Sequence, residues 1–236
     1  MDYIDQIFLL LLTIVPTFGI LLLFVFLDKF PEPKKIILGT FVLGILTIGA
    51  LLIIRETEFI LFGKIEYSPF VNAFYAASFW EEVLKFCVLY FFCVRFSDFN
   101  EPMDGIVYGT VASLGFAFYE NITYVYPIEN FQDSLWISYM RSFTAVPSHA
   151  LDGVIMGFFI GRHYFHKNKS KINIYLALIV PITFHGLYDW TLMEEKINVN
   201  FMWVVLFAQI FFAIYLFKKL KKDQILKTKE HEPKTI

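Results

Sequence analysis

The sequence predicts an all-α protein, a polytopic bundle of about seven transmembrane helices in a cell membrane. Of its 236 residues, 57% are hydrophobic, and the mean hydropathy is +0.58. That is more apolar surface than one soluble core can bury. Seven apolar runs are long enough to cross about 30 Å of hydrocarbon at about 1.5 Å per residue. The runs cover residues 5–27, 36–54, 70–94, 105–126, 139–161, 172–190 and 200–217.

The basic residues are distributed unevenly between alternate loops, and this distribution predicts the orientation of the spans. They are concentrated after spans one, three, five and seven. The loops on the other side carry only Arg55, Lys64, Arg141 and Lys196. Because basic loops stay in the cytoplasm, we expect the N-terminus outside and the C-terminus inside. We interpret residues 1–220 as one transmembrane domain and residues 221–236 as a basic cytoplasmic tail. Nothing in the composition indicates a nucleic-acid partner, so the lipid bilayer is the first partner expected.

Span three contains FWEEVLKF, which places Glu81, Glu82 and Lys85 in an otherwise apolar run. A charge at mid-bilayer costs about 2.5–3.5 kcal/mol, so the three together cost on the order of 8–10 kcal/mol. The leucine, valine and phenylalanine residues of the span return about 3–7 kcal/mol. This face must therefore be buried against other helices or a wet cavity. At i, i+4 spacing Lys85 shares a face with Glu81, whereas Glu82 points about 100° away.

The next three spans supply polar partners for this face. Span four contains GFAFYEN, span five PSHALDG and span six FHGLYDW, and their polar residues are Glu120, Asn121, His149, Asp152, His185 and Asp189. Counted at about 1.5 Å per residue from the predicted outer boundary, four of the polar groups fall at depths of roughly 8–16 Å. These four are Glu81, Glu120, His149 and His185. Four helices that enter from alternating sides thus place polar groups in one layer. We expect these groups to meet around a hydrated pocket in the outer half of the membrane.

Other features receive structural interpretations. Glycines at small-xxx-small spacing predict close packing between spans four and five, and they are Gly105, Gly109, Gly153, Gly157 and Gly161. We interpret Arg141 as an interfacial anchor and Asp104 as part of a turn and helix start. The stretch PIENFQDSLWISY, between spans four and five, is too short and polar to cross and is expected to rest on the outer interface.

The buried polar set would support peptide hydrolysis by an activated water molecule. Two neighbouring carboxylates do not both ionise cheaply, so one keeps a proton while the other, nearer Lys85, stays charged and can act as a base. The sequence has no GxSxG elbow, no HExxH metal motif and no glycine-rich phosphate loop. We therefore favour a glutamate-dependent, metal-independent enzyme without a cofactor. A zinc site made from His149, His185 and the glutamates stays open on ligand type.

Four motifs in order resemble the PrsW family of intramembrane proteases, which is related to the superfamily of CAAX prenyl endopeptidases and bacteriocin-processing enzymes. They are EEVLK (81–85), FAFYEN (116–121), SHALDG (148–153) and FHGLYD (184–189), and the resemblance covers roughly residues 70–190. The wider superfamily usually shows EExxxR and a histidine in the second motif. Lys85 and Glu120 therefore mark the PrsW-like branch and speak against a CAAX-type substrate.

The resemblance implies a glutamate-dependent membrane protease, related to enzymes that cut a single-span anti-sigma factor on its outer side. Carried over by motif, Glu81 or Glu82 would be the general base, and Glu120 would help to hold the water. His149 and His185 would polarise the scissile carbonyl or stabilise its oxyanion. Supporting roles fall to Lys85, Asn121, Asp152 and Asp189. The expected partner is a membrane-protein substrate, with an anti-sigma factor as the class that the resemblance suggests.

Two other classes of function use the same residues. A proton- or ion-coupled transporter could use the buried carboxylates and histidines as a relay, although the paired repeats and broken helices of many transporters are not evident in the sequence. A noncatalytic scaffold could use the ion cluster only to specify helix packing. Cleavage of a membrane substrate separates the protease from both.

Overall fold

Seven helices account for the architecture of this computed structural model, which describes residues 3–166 and 170–231, with side chains as far as residue 222. They are α1 (Tyr3–Leu27), α2 (Lys34–Phe62), α3 (69–95), α4 (Pro102–Val125), α5 (Phe131–Phe165), α6 (Ile172–Met193) and α7 (Phe201–His231). Each overlaps one predicted span, and the described residues contain no strand. The prediction of an all-α, polytopic bundle is confirmed.

Five of the seven helices have the length and apolar composition needed to cross a membrane. They are α1, α2, α5, α6 and the part of α7 that ends at Lys222. The orientation of the bundle stays a prediction, as does the boundary between the transmembrane domain and the tail. Helix α7 continues to His231, past the predicted boundary at residue 220, and residues 232–236 of the tail lie outside the described part of the chain.

Helix α4 lies at the centre of the bundle, in contact with α1, α2, α5 and α7. It begins at Pro102 with a capping box, in which Asp104 accepts hydrogen bonds from the backbone of Asn100 and Glu101 at 2.7 and 2.8 Å. The interpretation of Asp104 as a helix start is thus confirmed. An added Cβ at Gly105 would overlap the backbone of Gly157. The predicted small-residue packing of span four on span five is present as well.

Helix α3 is irregular on both sides of its charged turn. It is π-helical over Asn72–Phe79 and Val88–Phe92, and α-helical over Trp80–Cys87. Single π turns are frequent at functional sites. On α6, Gly186 leaves room for the ring of Phe74, which an added Cβ would overlap. The close approach of these two helices brings the charged turn of α3 against α6.

Helix α5 begins earlier than predicted. Instead of a separate polar stretch followed by a span from residue 139, one helical run starts at Phe131 and is interrupted only at Thr144. The Asn130 side chain caps it by accepting from the backbone N–H of Gln132. A buried serine face holds the first part against α1, with Ser138 Oγ 3.0 Å from Thr13 Oγ1. Side-chain hydrogen bonds to another helix therefore stabilise a segment whose sequence is too polar to predict a span.

Candidate active site

Glu81, Glu82 and Lys85 form an ion-pair cluster on the regular turn of α3. Lys85 Nζ lies 2.8 Å from Glu82 Oε1 and 3.7 Å from Glu81 Oε2, and all three side chains are buried. It also lies 4.2 Å from the ring centroid of Phe116 on α4. Both i, i+3 and i, i+4 neighbours share a helix face. The predicted i, i+4 pairing of Lys85 with Glu81 is present, but the closer partner of Lys85 is Glu82.

His149 on α5 connects Lys85 to Glu120. Its Nδ1 is 3.0 Å from Lys85 Nζ, and its Nε2 is 2.8 Å from Glu120 Oε2. A lysine ammonium can only donate hydrogen bonds, so Nδ1 of His149 accepts. The proton of the neutral ring is then on Nε2 and is donated to Glu120. Both ring nitrogens are engaged within the protein.

His185 on α6 makes a parallel connection. Its Nδ1 lies 2.8 Å from Glu82 Oε1, the oxygen that also accepts from Lys85. Its Nε2 faces two other carboxylates, 3.6 Å from Glu81 Oε2 and 3.4 Å from Asp189 Oδ2. The two imidazole rings meet edge to face at 5.1 Å. Each histidine therefore turns Nδ1 toward the Glu82–Lys85 pair and Nε2 toward a second set of carboxylates.

Arg141 completes the site, and its interpretation as an interfacial anchor is wrong. From the first part of α5, its Nη2 donates to Glu120 Oε2 at 2.6 Å and its Nε to Asn121 Oδ1 at 2.7 Å. The sequence contains a signal for this role of Arg141, because the predicted polar set has more buried carboxylates than cations. The sequence places three carboxylates, Glu81, Glu82 and Glu120, near a single lysine, and a buried carboxylate needs a partner.

Asp152 and Gln209 form a polar contact behind the ion-pair cluster. Asp152 is fully buried, and its Oδ1 accepts from Gln209 Nε2 of α7 at 2.7 Å. Ser148 Oγ donates to Gln209 Oε1 at 2.9 Å. Sequence reasoning missed Gln209, although an amide in the middle of span seven was a usable signal, because polar side chains inside membrane spans seek partners.

A cavity of about 220 Å³ divides the predicted residues into two groups. The cavity layer consists of the residues of the polar set that line it: Glu81, Glu120, Arg141, His149, His185 and Asp189. The sealed layer consists of those that lie behind it without lining it: Glu82, Lys85 and Asp152. Asn121 also lies outside the lining and bonds to Arg141 and to the backbone of Thr13. The structure thus brings the polar residues of four helices together, and only some of them reach open space.

Among the described residues, three groups of side chains have the spacing to hold a metal ion, with donor atoms within 4.8 Å of one another. One of them, Asp28, Glu32 and Asp104, lies outside this site, and the other two belong to it. In the group of Glu82, His149, Asp152 and His185, the ammonium of Lys85 already bonds to Glu82 and His149, so an ion does not fit. The second group is Glu81, Glu120 and His149. Glu81 Oε2 is buried and has no hydrogen-bond partner within the described residues. Two carboxylates and an imidazole suit zinc in donor type, so this second group fits an ion by its donors, and binding would replace the hydrogen bond between His149 Nε2 and Glu120.

Known proteins resemble the chain over most of its length. A family profile described as "PrsW family intramembrane metalloprotease" matches residues 32–216. The chain is similar to "Protease PrsW" of Geobacillus kaustophilus, with 34% identity over 78% of this chain and 79% of that protein. Proteins of the same name show 30% identity in Oceanobacillus iheyensis, over 90% and 96% of the two chains, and 32% in Bacillus subtilis, over 89% and 92%. No solved structure matches.

Proposed function

The chain belongs to the PrsW family of intramembrane proteases, and we propose that it hydrolyses a peptide bond of a membrane protein with a water molecule activated by Glu81. The family makes it a multi-pass membrane protease. The proposal about Glu81 depends on one observation: of the two adjacent glutamates on α3, only Glu81 lines the cavity.

The two glutamates are proposed to have different tasks. Glu82 is fully buried, and its Oε1 accepts from both Lys85 and His185. A carboxylate with these partners is stabilised as an anion and has no path to a substrate. The residue Glu81 lines the cavity, and its buried Oε2, 3.7 Å from Lys85 Nζ, makes no hydrogen bond within the described part of the chain. It has the access and the free lone pairs that a general base requires.

In the proposed reaction, Glu81 takes a proton from a water molecule as the water oxygen attacks the carbonyl carbon. The C=O π pair moves onto oxygen, and His185 is proposed to act as an imidazolium, because its Nδ1–H donates to Glu82 while its Nε2 faces the carboxylates of Glu81 and Asp189. Its Nε2–H then stabilises the resulting oxyanion as a donor. Glu81 then returns the proton to the amide nitrogen as the oxyanion pair re-forms the C=O bond and the C–N bond breaks, which yields a carboxylic acid and an amine. Glu120 positions the water. Because both nitrogens of His149 are already hydrogen-bonded, to Lys85 and to Glu120, the proposed role of His149 is to hold Glu120 in place.

The family description raises the question of a metal ion. Glu81, Glu120 and His149 would hold it, and when bound it would supply a Lewis acid that polarises water or the carbonyl oxygen. We propose the metal-independent reaction, because Glu120 and His149 already bond to each other and Arg141 already neutralises Glu120. Glu81 remains essential under either description.

The substrate is proposed to be a single-span membrane protein, with an anti-sigma factor as the class that the family resemblance suggests. The substrate is proposed to enter past the large side chains that also line the cavity, which are Tyr124, Tyr188, Leu192 and Met193. Cleavage near the outer face follows from the predicted orientation. Membership of a protease family also favours hydrolysis over the ion-coupled transport that the same buried groups would permit.

The test uses the full chain in liposomes with a panel of single-span membrane proteins, each labelled on both sides of its transmembrane segment. We expect the wild type to cut at least one panel member and Glu81→Gln to lose about 10²–10⁴-fold in rate, because glutamine keeps the shape but removes the base. Glu58→Gln, which changes a carboxylate paired with Arg55 outside the cavity, is the control and should leave the rate unchanged. Cleavage by Glu81→Gln at the wild-type rate would overturn the proposal.

A further inference from the structure

We infer that Arg141 is a positioning residue of this protease, which fixes the orientation of Glu120 and through it the hydrogen bond of His149. The inference rests on the proposed function for its effect on turnover, and on the geometry alone for its effect on His149. None of the four motifs of the family resemblance includes Arg141.

The guanidinium is held in one plane by three groups on α4. Two of its N–H groups reach adjacent residues, Glu120 at 2.6 Å and Asn121 at 2.7 Å. The ring of Tyr124, one turn further along, lies 4.1 Å from the guanidinium carbon. The Asn121 amide in turn donates to the Thr13 carbonyl of α1 at 3.2 Å. This arrangement uses the fixed fork of an arginine, which a lysine cannot reproduce.

Arg141 determines which oxygen of Glu120 remains available. Glu120 Oε2 accepts from both Arg141 Nη2 and His149 Nε2. Its other oxygen makes no side-chain hydrogen bond with the described residues and belongs to a carboxylate that lines the cavity. Two donors on one oxygen therefore leave the second oxygen to hold a water molecule. Without the guanidinium, rotation of the carboxylate would disturb both the water and His149.

Burial makes the contact strong. The side chains of Arg141 and Glu120 are 15% and 13% exposed. Charge-assisted hydrogen bonds in such surroundings are shorter and about twice as strong as neutral ones. A continuous series of hydrogen bonds runs from the Thr13 carbonyl through Asn121, Arg141, Glu120 and His149 to Lys85. Arg141 thus ties the start of α5 to the cavity layer and, through His149, to the sealed layer.

The first experiment needs no substrate. The full chain is labelled with ¹⁵N-histidine in detergent micelles, and the ring nitrogen resonances of His149 and His185 are assigned by substitution. We expect Arg141→Gln to shift or broaden the Nε2 resonance of His149 while the His185 signals move less. Arg55→Gln, which removes an arginine from another ion pair, is the matched control and should change neither. An unchanged His149 resonance in Arg141→Gln would overturn the inference, whatever becomes of the proposed function.

The second experiment measures turnover of a cleaved panel member per folded molecule. We expect Arg141→Gln to lower kcat about 100-fold with KM unchanged, because the misplaced group acts on bound substrate. Arg141→Lys should recover part of kcat, since it keeps the charge without the fork. Wild-type kcat in the folded glutamine variant would show a merely structural role. Glu81→Gln is assayed beside the Arg141 variants, so that failure of the proposed function can be told from failure of this inference. Cleavage by Glu81→Gln would contradict the glutamate base but not the role of Arg141.

Discussion

The cavity layer and the sealed layer each combine carboxylates with one Lys or Arg side chain but differ in access to the cavity. In the sealed layer, Lys85 and Glu82 have no exposed surface and bond to each other. In the cavity layer, Glu81 and Glu120 border open space. The two histidines link the layers, because each turns one ring nitrogen toward each side. The comparison indicates that a charged residue without access to the cavity, such as Lys85 or Glu82, can hold the reacting groups in place. Only a residue that borders the cavity, such as Glu81, can react with a substrate.

The largest effect on stability is expected from the sealed layer. Lys85→Met removes the cation that Glu82 contacts at 2.8 Å and leaves a buried anion, so the free energy of unfolding should fall by about 3–5 kcal/mol. Lys64→Met, at an exposed pair with Glu66, is the control and should change it by less than about 0.5 kcal/mol. Unfolding in detergent measures both. Equal stability of the two variants would contradict a tightly coupled sealed layer.

A smaller effect is expected where the two central helices meet. In Gly157→Ala, the new methyl group would overlap the backbone of Gly105 and Ile106, at a cost of about 1–3 kcal/mol. The control is Gly49→Ala on α2, where nothing lies within 4 Å of the added Cβ. That substitution should raise stability by about 0.5–1 kcal/mol, as alanine does in a helix. Thermal unfolding measures the stability of both variants. A Gly157→Ala variant as stable as the wild type would show that α4 and α5 can move apart without cost.

The contact between Asp152 and Gln209 should give a comparable or smaller change. Gln209→Leu removes the donor to Asp152, and a buried group left without its partner costs about 1–3 kcal/mol. Because these side chains do not line the cavity, cleavage per folded molecule should stay near the wild-type value. Gln132→Leu, at an exposed position on α5, serves as the control. A large loss of turnover in folded Gln209→Leu would move Asp152 into the reacting site.

The smallest effect is expected from metal removal. Treatment with a chelator should leave the cleavage rate unchanged, since the proposed reaction uses Glu81 and the internal cations. Loss of activity that returns with added zinc would contradict this and would assign Glu81, Glu120 and His149 as ligands. Metal content of the purified chain, measured alongside, distinguishes removal of an ion from an effect of the chelator on the micelle.

The sequence predicts the fold well because each membrane span is recognisable as a long apolar run. It also predicts which residues meet, since the cost of burying Glu81, Glu82 and Lys85 requires polar partners on other spans. The sequence does not determine which member of the cluster pairs with which. Helical spacing allows Lys85 to reach either glutamate, and only packing against α5 and α6 selects Glu82. Arg141 was misread because charge near a span end usually marks an interface, whereas here the helix start folds against α4.

The cleavage rate per folded molecule of Glu81→Gln, compared with that of Glu82→Gln, tests the central claim most directly. Each change removes one carboxylate from the same turn of α3, so the pair differs chiefly in access to the cavity. We predict that Glu81→Gln is stable and inactive, and that Glu82→Gln is less stable but retains measurable cleavage when folded. An inactive, folded Glu82→Gln beside an active Glu81→Gln would contradict it.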